Sequence, residues 1–278
     1  MTEPRPYPSD LSDARWALIE PVLTAWRAER RSGALDIGRP PEHDLRTICN
    51  AILYNRTSIP WRYLPHEYPP WQTAYAYFAL WQKDGIFDQL TGLLRRHVRT
   101  AAGRDPEPTA CVIDAQSVKT SPNVPATSQG YDAGKKIAGR KRSIVVDTLG
   151  LLLAVLVTAA GISDSAAGLP LLTQIAATQP AITKAWADSA YRTTVIDGAA
   201  ALGIDVGVVR KDPATKGFTP LPRRWVAERT LGWLMLHRRL TRDYEALPTR
   251  SEAMIHIAMI DLIARRLTGE NTPTWRDT

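Results

Sequence analysis

The order of predicted strands and helices after about residue 105 most constrains the fold of this chain. Short apolar, β-branched runs predict strands at 109–113, 143–147, 151–158, 182–187 and 205–209. Helical spacing predicts helices at 164–177, 192–202, 222–240 and 251–267. Three strands followed by alternating helices and strands are typical of an α/β domain with a mixed sheet flanked by helices.

The first hundred residues differ from this pattern, because they read as short helices joined by proline-rich turns. The clearest helix carries an i, i+3, i+4, i+7, i+8 apolar stripe made of Leu45, Ile48, Cys49, Ile52 and Leu53. An earlier helix contains Pro21, which we expect to kink or split it. The stretch 100–108 reads as a linker, so we expect a small helical domain at 1–104 and a second domain at 105–270.

Composition excludes several classes of protein. The 278 residues are 44% apolar and 23% charged, which is near the average for globular chains. The two cysteines, Cys49 and Cys111, cannot form a disulfide framework or a zinc site, so we expect a reduced, cytoplasmic protein. The longest apolar run, 151–160, is about half of a membrane span, and no membrane partner is expected.

Positive charge is concentrated in two stretches. The formal net charge is +7 and the isoelectric point is about 9.5, which is compatible with a nucleic-acid partner. Five basic residues lie within eight positions: Lys135, Lys136, Arg140, Lys141 and Arg142. Residues 210–250 hold ten basic residues against four acidic ones. Either stretch, taken alone, is also typical of an ordinary solvated surface.

Three acidic residues stand out against this basic background. Asp114 and Asp188 each follow an apolar run, and we expect both at strand ends, where α/β proteins bind ligands. Glu228 lies in the predicted helix at 222–240, where a spacing of 100° per residue puts Arg224 and Arg239 on its face. The alternative for each acid is an ordinary cap or ion pair.

Three converging carboxylates would repel one another, and divalent cations remove that cost. Hard oxygen ligands suit Mg²⁺, and two such ions about 4 Å apart activate a water and stabilise the leaving oxygen of a phosphodiester. The basic residues would then hold the DNA backbone. Two further acids near the strands, Asp132 and Asp147, are expected to lie outside the site, and Asp147 is expected to cap a turn. The five histidines have no ligand spacing.

Several ordered motifs resemble bacterial insertion-sequence transposases of the DDE type, in the IS-four/IS-five-like branch. Residues 112–119 (VIDAQSVK) are similar to the family's first-Asp strand, and 188–191 (DSAY) to its second-Asp motif. Residues 130–142 (GYDAGKKIAGRKR) resemble its basic signature, and 221–228 with 239–245 its third-acid helix. The stretches 16–21 and 60–65 fit the small helical domain of that branch.

The resemblance implies a ribonuclease-H-like catalytic domain with Asp114, Asp188 and Glu228 as catalytic and metal-binding residues. It implies two Mg²⁺ (or Mn²⁺) ions, cleavage at the ends of an insertion element, and transfer of the 3′-hydroxyl ends into target DNA. The implied partners are double-stranded DNA and a second copy of the chain, at the bacterial nucleoid. DNA contacts are expected from Lys119, Lys135, Lys136, Arg140, Lys141, Arg142, Tyr191, Arg192, Arg224 and Arg239.

The sequence departs from the family pattern at several positions. Leu221 and Met235 stand where relatives carry Tyr and Lys, and Arg238 or Arg239 is the candidate replacement for the lost charge. The helix predicted near 72–83 has no arginine for reading DNA ends, and no large insertion separates Asp188 from Glu228. Two alternatives stay open: a metal-dependent nuclease that cuts without joining, and an inactive DNA-binding relic.

Overall fold

The N-terminal part of the chain is entirely helical, as its sequence predicts. The structure is a computed structural model, and it describes residues 6–32, 42–191, 193–209 and 223–272. Within these ranges the helices of this part are α1 (Asp13–Ser32), α2 (Leu45–Asn55), α3 (Trp71–Lys83) and α4 (Ile86–Ala101). The predicted stripe of α2 is buried throughout, and the Asp44 carboxylate caps the helix by accepting from the Thr47 amide.

Helix α1 corrects one expectation, because Pro21 does not split it. The helix runs without interruption from Asp13 to Ser32. Pro21 is exposed, while Ile19, Leu23 and Trp26 on the opposite side are buried in the core. Burial of three large side chains outweighs the one hydrogen bond that a proline removes.

The second part of the chain forms one six-stranded mixed sheet. Its strands are β1 (Ala110–Lys119), β2 (Gly130–Asp132), β3 (Ile137–Asp147), β4 (Leu152–Ala159), β5 (Lys184–Ala187) and β6 (Asp205–Val208). Strand β3 pairs antiparallel with β1, β2 and β4, and β1, β5 and β6 pair in parallel. The predicted hairpin at 148–150 connects β3 to β4. Asp147 caps that turn, since its carboxylate accepts from the amides of Leu149 and Leu151, as predicted.

Helices cover both faces of the sheet. These are α5 (Asp164–Thr178), α6 (Thr193–Ala201), α7 (Trp225–Leu234) and α8 (Pro248–Thr268). One buried cluster joins α5 and α6 to the sheet through Ile113 and Val145. The other joins α7, α8 and the N-terminal helices to the opposite face through Val112 and Val146. Successive residues of a strand point to opposite faces, so each strand contributes to both cores.

The mixed sheet, its flanking helices and the preceding helical region confirm the predicted fold class. The division of the chain at residue 104 stays a prediction, and the core of the N-terminal helices continues into α8. In the ranges that the structure describes, no helix has both the length and the apolar character that crossing a membrane requires.

Candidate active site

Pairing between β1 and β5 brings two of the three predicted acids together. Val112 of β1 is the register partner of Trp186 of β5, and the two strands are parallel. Asp114 and Asp188 each follow two residues later, so they lie side by side on the same face as Val112. The sequence predicts Asp114 at the end of a strand. Strand β1 continues to Lys119, so Asp114 lies inside the strand.

Asp188 directly follows β5 and is fixed by a turn. One oxygen of its carboxylate, Oδ1, accepts from the amide of Ala190 at 2.8 Å. The carbonyl of Asp188 accepts from the amide of Tyr191 at 3.2 Å. The acid therefore has one carboxylate oxygen committed to the local turn and a second, Oδ2, directed toward its neighbours.

Helix α7 supplies the third acid from the same side of the sheet. Val226 and Ala227 of this helix belong to the same core as Val112, which seats the helix over β1. Glu228 lies in its first turn, one turn after Arg224. The helix ends at Leu234, earlier than predicted, so Arg239 is not on the face that Arg224 and Glu228 share.

The side chain of Arg224 lies among all three acids. Its Nη2 atom is 3.7 Å from Asp114 Oδ2, 3.7 Å from Asp188 Oδ2 and 3.5 Å from Glu228 Oε1. One atom within reach of three carboxylates means that the three acids converge on one point. The sequence predicts a DNA contact for Arg224 and not this contact with the acids, although its position four residues before Glu228 is the spacing of a helical ion pair.

Asp114 is the least solvated of these acids. Burial raises the pKa of its carboxyl group to about 6. The amide of Ala115 and the Arg224 guanidinium oppose this rise, while the negative charges of Asp188 and Glu228 add to it. A carboxyl group that resists ionisation at the centre of an acid cluster is typical of a functional site.

Burial corrects the predicted DNA contacts for three arginines. The Arg140 guanidinium is fully buried and pairs with Asp243 at 3.2 Å. Arg142 donates to the carbonyl of Leu240, and burial lowers its pKa to about 10. Arg239 is buried and pairs with Glu245 at 2.7 Å. Arg140 and Arg239 are paired with carboxylates and Arg142 is buried against a carbonyl, so we no longer expect these three to hold a DNA phosphate.

The same correction applies to Lys141 and Tyr191. The Lys141 ammonium group is buried, pairs with Asp164 at 2.7 Å and donates to the carbonyl of Ile162 at 2.8 Å. Tyr191 is buried beneath the Asp188 turn, and within the described part of the chain its hydroxyl group has no hydrogen-bond partner. A tyrosine in that position supports the turn from below and does not face a bound nucleotide.

Other predicted DNA contacts are exposed or lie outside the described residues. Lys119, Lys135 and Lys136 are exposed, and Lys135 donates to the carbonyl of Ala115, next to Asp114. Arg192 lies outside the described residues, as do Leu221 and part of the second basic stretch, residues 210–222. For Lys119, Lys135, Lys136, Arg192 and Arg224 the DNA contact stays a prediction.

Two structural details bear on the family pattern and on the excluded acids. The Arg142 guanidinium lies 3.5 Å from Met235 Sδ, so the charge next to this position comes from β3 and not from Arg239. Asp132, at the end of β2, accepts from the hydroxyl group of Ser117 in β1 and from the amide of Lys135.

One exposed aromatic residue near the acids was not singled out from the sequence. Trp225 is 40% exposed at the start of α7, directly after Arg224. The Arg229 guanidinium stacks on it at 4.4 Å. Sequence spacing does not separate it from a core tryptophan, because its exposure follows from its place at the start of α7.

The chemical type of the three side chains, and not their present spacing, matches a hard divalent cation. Within the described ranges no three Asp, Glu, His or Cys side chains are grouped closely enough to hold a metal ion as they stand. Arg224 lies between the three carboxylates and supplies a positive charge at their centre. Carboxylate oxygens that converge on a cationic position are the ligands that Mg²⁺ and Mn²⁺ prefer.

Two family models match the chain. The model described as a putative transposase of the IS4/5 family matches residues 11–91. The model described as a transposase DDE domain matches residues 105–262, which is more than half of the chain and contains all three acids. Among curated proteins no match to the chain is found. The chain therefore belongs to the DDE transposases of the IS4/IS5-like type.

Proposed function

We propose that this transposase cuts DNA at the ends of an insertion element and joins the freed 3′-hydroxyl ends to target DNA. The observation that carries the proposal is the convergence of Asp114, Asp188 and Glu228 on Arg224 Nη2. The carboxylates come from β1, from the turn after β5 and from α7, and their mutual repulsion opposes folding, so their proximity favours a functional role.

Asp114, Asp188 and Glu228 would hold Mg²⁺ or Mn²⁺, two ions in the full complex. Such ions activate a water or a 3′-hydroxyl group and neutralise charge on the phosphodiester. Asp114 contributes its carboxylate from the rigid interior of β1, and the Ala190 amide orients the Asp188 carboxylate. These contacts keep two oxygen donors in place while DNA enters and leaves.

Positive side chains around the acids would hold the phosphate backbone. Lys119, Lys135 and Lys136 are exposed on or near the strands that flank Asp114. Arg224 lies within the acid cluster and is the group nearest to a scissile phosphate. Contacts of this kind position DNA without reading its sequence, so we expect recognition of the element ends to come from other residues.

Joining requires that both ends of the element meet at one target. We therefore propose that two copies of the chain act together on double-stranded DNA, at the nucleoid. No covalent intermediate between protein and DNA is needed, because the 3′-hydroxyl group released by hydrolysis is the nucleophile of the joining step. That step forms one phosphodiester bond and breaks one, so it needs no further energy source.

The test is product analysis on DNA that carries the flanking inverted repeats of the element. With Mg²⁺ and a target plasmid, the wild type should yield cut ends and also ends joined to the plasmid. Asp188→Asn should yield neither, because it removes one of the three anionic ligands. An Asp205→Asn variant, changed at an exposed acid of β6, should behave as the wild type does.

Two other outcomes would decide against parts of the proposal. Cut ends without joined products would identify a nuclease that does not transfer strands. Neither product from a folded wild type that still binds the repeats would identify an inactive relic. Reading the genomic flanks for short inverted repeats supplies the substrate for every arm of this assay.

A further inference from the structure

The contacts of Arg224 have an unusual geometry. Its Nη2 atom is 3.5 to 3.7 Å from an oxygen of each of three acids. Hydrogen bonds from nitrogen to oxygen are mostly 2.7 to 3.2 Å long. All three contacts are therefore charge–charge contacts without a short hydrogen bond, and the guanidinium is shared among the acids.

Among the residues that the structure describes, the ion pairs of Arg224 are those with the three acids. Its side chain is only 16% exposed, and its Nε atom is buried with no hydrogen-bond partner among those residues. A buried donor without a partner costs free energy, so the side chain stays there because of the three negative charges. Removing those charges from its reach would free it to move.

Two neighbouring arginines are placed differently. Arg223 lies over the ring of Trp186 at 4.9 Å. Arg229 stacks on Trp225 and Trp233, and it donates to the carbonyl of Leu149. Aromatic rings and a backbone carbonyl fix these two groups, and the ion pairs with the acid cluster belong to Arg224.

We propose that Arg224 is an internal counter-ion that occupies the acid cluster when no divalent cation is bound and that leaves it for a DNA phosphate. Divalent cations and Arg224 then compete for the same carboxylate oxygens. DNA removes the competitor, so DNA binding strengthens metal binding. This regulation rests on the proposed function, because it acts on the same metal site.

Two properties follow from the competition. Without DNA the cluster is neutralised in part, which limits the repulsion among its acids and weakens its affinity for divalent cations. With DNA the affinity rises, and by reciprocity the metal strengthens DNA binding by the same factor. The acid cluster therefore binds its divalent cations tightly only after DNA has bound.

The test measures Mn²⁺ binding by calorimetry, without DNA, so that no activity enters the readout. Arg224→Gln should bind Mn²⁺ on the order of tenfold more tightly than the wild type. Arg223→Gln loses the same charge next door and should stay within about twofold of the wild type, since it does not remove the competitor. Equal tightening in both variants would show a general effect of net charge and would overturn the proposal.

A second variant covers the case in which Arg224→Gln folds poorly. Arg224→Lys keeps the charge but lacks the planar fork and its reach. Its Mn²⁺ affinity should lie between those of the wild type and Arg224→Gln. A folded Arg224→Lys that binds Mn²⁺ no more tightly than the wild type would count against the proposal.

Added DNA tests the coupling itself. A random-sequence duplex supplies phosphates without an element end to cut. It should raise the Mn²⁺ affinity of the wild type and leave that of Arg224→Gln nearly unchanged. An equal rise in both proteins would overturn the proposed exchange.

Asp188→Asn separates this proposal from the proposed function. If it weakens Mn²⁺ binding while Arg224→Gln equals the wild type, the metal site stands and the counter-ion proposal fails. If Asp188→Asn leaves the Mn²⁺ affinity unchanged both in the wild type and in Arg224→Gln, the assigned metal site is wrong, and both proposals are contradicted.

Discussion

At the scale of single residues, Asp114 is the acid whose surroundings most oppose its ionisation. It is 8% exposed, and two other acids share its neighbourhood. Burial raises its pKa from an ordinary value of 3.8 to about 6. A bound divalent cation would reverse this, because it favours the ionised form.

The stability of the metal-free protein should depend on pH through Asp114. The pKa of Asp114 is higher in the folded state than in the unfolded state. The stabilisation that the protonated group gives the folded protein is therefore fully present below about pH 4 and is lost as pH rises through about 6. Relative to the wild type, Asp114→Asn should gain on the order of 3 kcal/mol in free energy of unfolding between these limits. Urea denaturation in the presence of a chelator measures this difference.

The control for this prediction is Asp132→Asn. The Ser117 hydroxyl lowers the pKa of Asp132, so its contribution appears as pH rises and the trend has the opposite sign. If the difference between Asp114→Asn and the wild type were the same at every pH, the assigned burial of Asp114 would be wrong.

Single residues also show how far the sequence predicts the candidate site. Asp114, Asp188 and Glu228 are candidates because each stands in a distinctive motif, and their role as metal ligands stays a prediction. The burial of Arg140 and Arg142 is not recognisable, because their partners Asp243 and the Leu240 carbonyl lie about a hundred residues away along the chain. A run of basic residues in the sequence shows that charge is present. Only the packing of the folded chain shows whether these side chains face the solvent or the interior.

At the scale of elements, the contact of α5 with the Asp188 turn positions the site. Gly168 of α5 faces the ring of Tyr191, and a Cβ atom there would come within 2.8 Å of it. Tyr191 in turn supports the turn whose amide orients the Asp188 carboxylate. Glycine is required at this position by space and not by backbone conformation.

We expect Gly168→Ala to displace Tyr191 and to destabilise the protein by about 1–3 kcal/mol. It should also slow DNA cleavage, although no acid is changed, because the Asp188 turn shifts. Thermal denaturation and single-turnover cleavage measure the two effects.

Gly232→Ala is the matched control for this change. It also replaces a helical glycine, but a Cβ atom there meets nothing within 4 Å. It should stabilise α7 by up to about 1 kcal/mol and leave cleavage unchanged. If both variants had the same stability and cleavage rate, the close approach of α5 to Tyr191 would not position the Asp188 turn.

The strands and helices themselves were largely predictable from spacing, and their ends were not. Strand β1 extends past Asp114 because its later residues pair with β3 along the whole register to Lys119. Helix α7 ends at Leu234, well before the predicted 240, and a short 3₁₀ turn at Arg238–Leu240 follows. Long-range pairing and packing set these limits, and local periodicity does not report them.

At the scale of the whole molecule, buried charges join the N-terminal helices to α8. Asp261 of α8 pairs with Arg15 of α1 at 3.2 Å and with Arg56 after α2 at 3.1 Å. Arg265, one turn further along α8, contacts the same carboxylate at 3.2 Å. Three guanidinium groups thus meet at one buried anion, in a region where the apolar core is continuous, and Arg15 and Arg265 also contact Glu270.

Removing that anion should be costly. We expect Asp261→Asn to lower the free energy of unfolding by about 3–5 kcal/mol, because it removes the ion pair of buried Arg56 and leaves Arg15 and Arg265 with Glu270 alone. Asp205→Asn breaks an exposed pair with Lys184 and should cost less than about 1 kcal/mol. Chemical denaturation compares them, and an equally small loss in both would show that the buried network does not hold the two regions together.

This network was not predictable from the sequence. The two family matches end and begin at residues 91 and 105, which agrees with a change of pattern near the linker. The sequence pattern does not indicate that the regions share one core, because their contacts join residues separated by about two hundred positions. The fold class follows from the order of elements, whereas the union of the regions follows from tertiary packing.

We propose that Asp114, Asp188 and Glu228 hold the metal ions through which this protein cleaves DNA. Single-turnover cleavage of DNA bearing the element ends, with Mg²⁺, tests it most directly when Asp188→Asn is compared with Asp132→Asn. Loss of a metal-binding carboxylate should slow cleavage by about 10³-fold or more, while Asp132→Asn should stay within about tenfold of the wild type. Cleavage by Asp188→Asn at a rate near that of the wild type would contradict the assigned site.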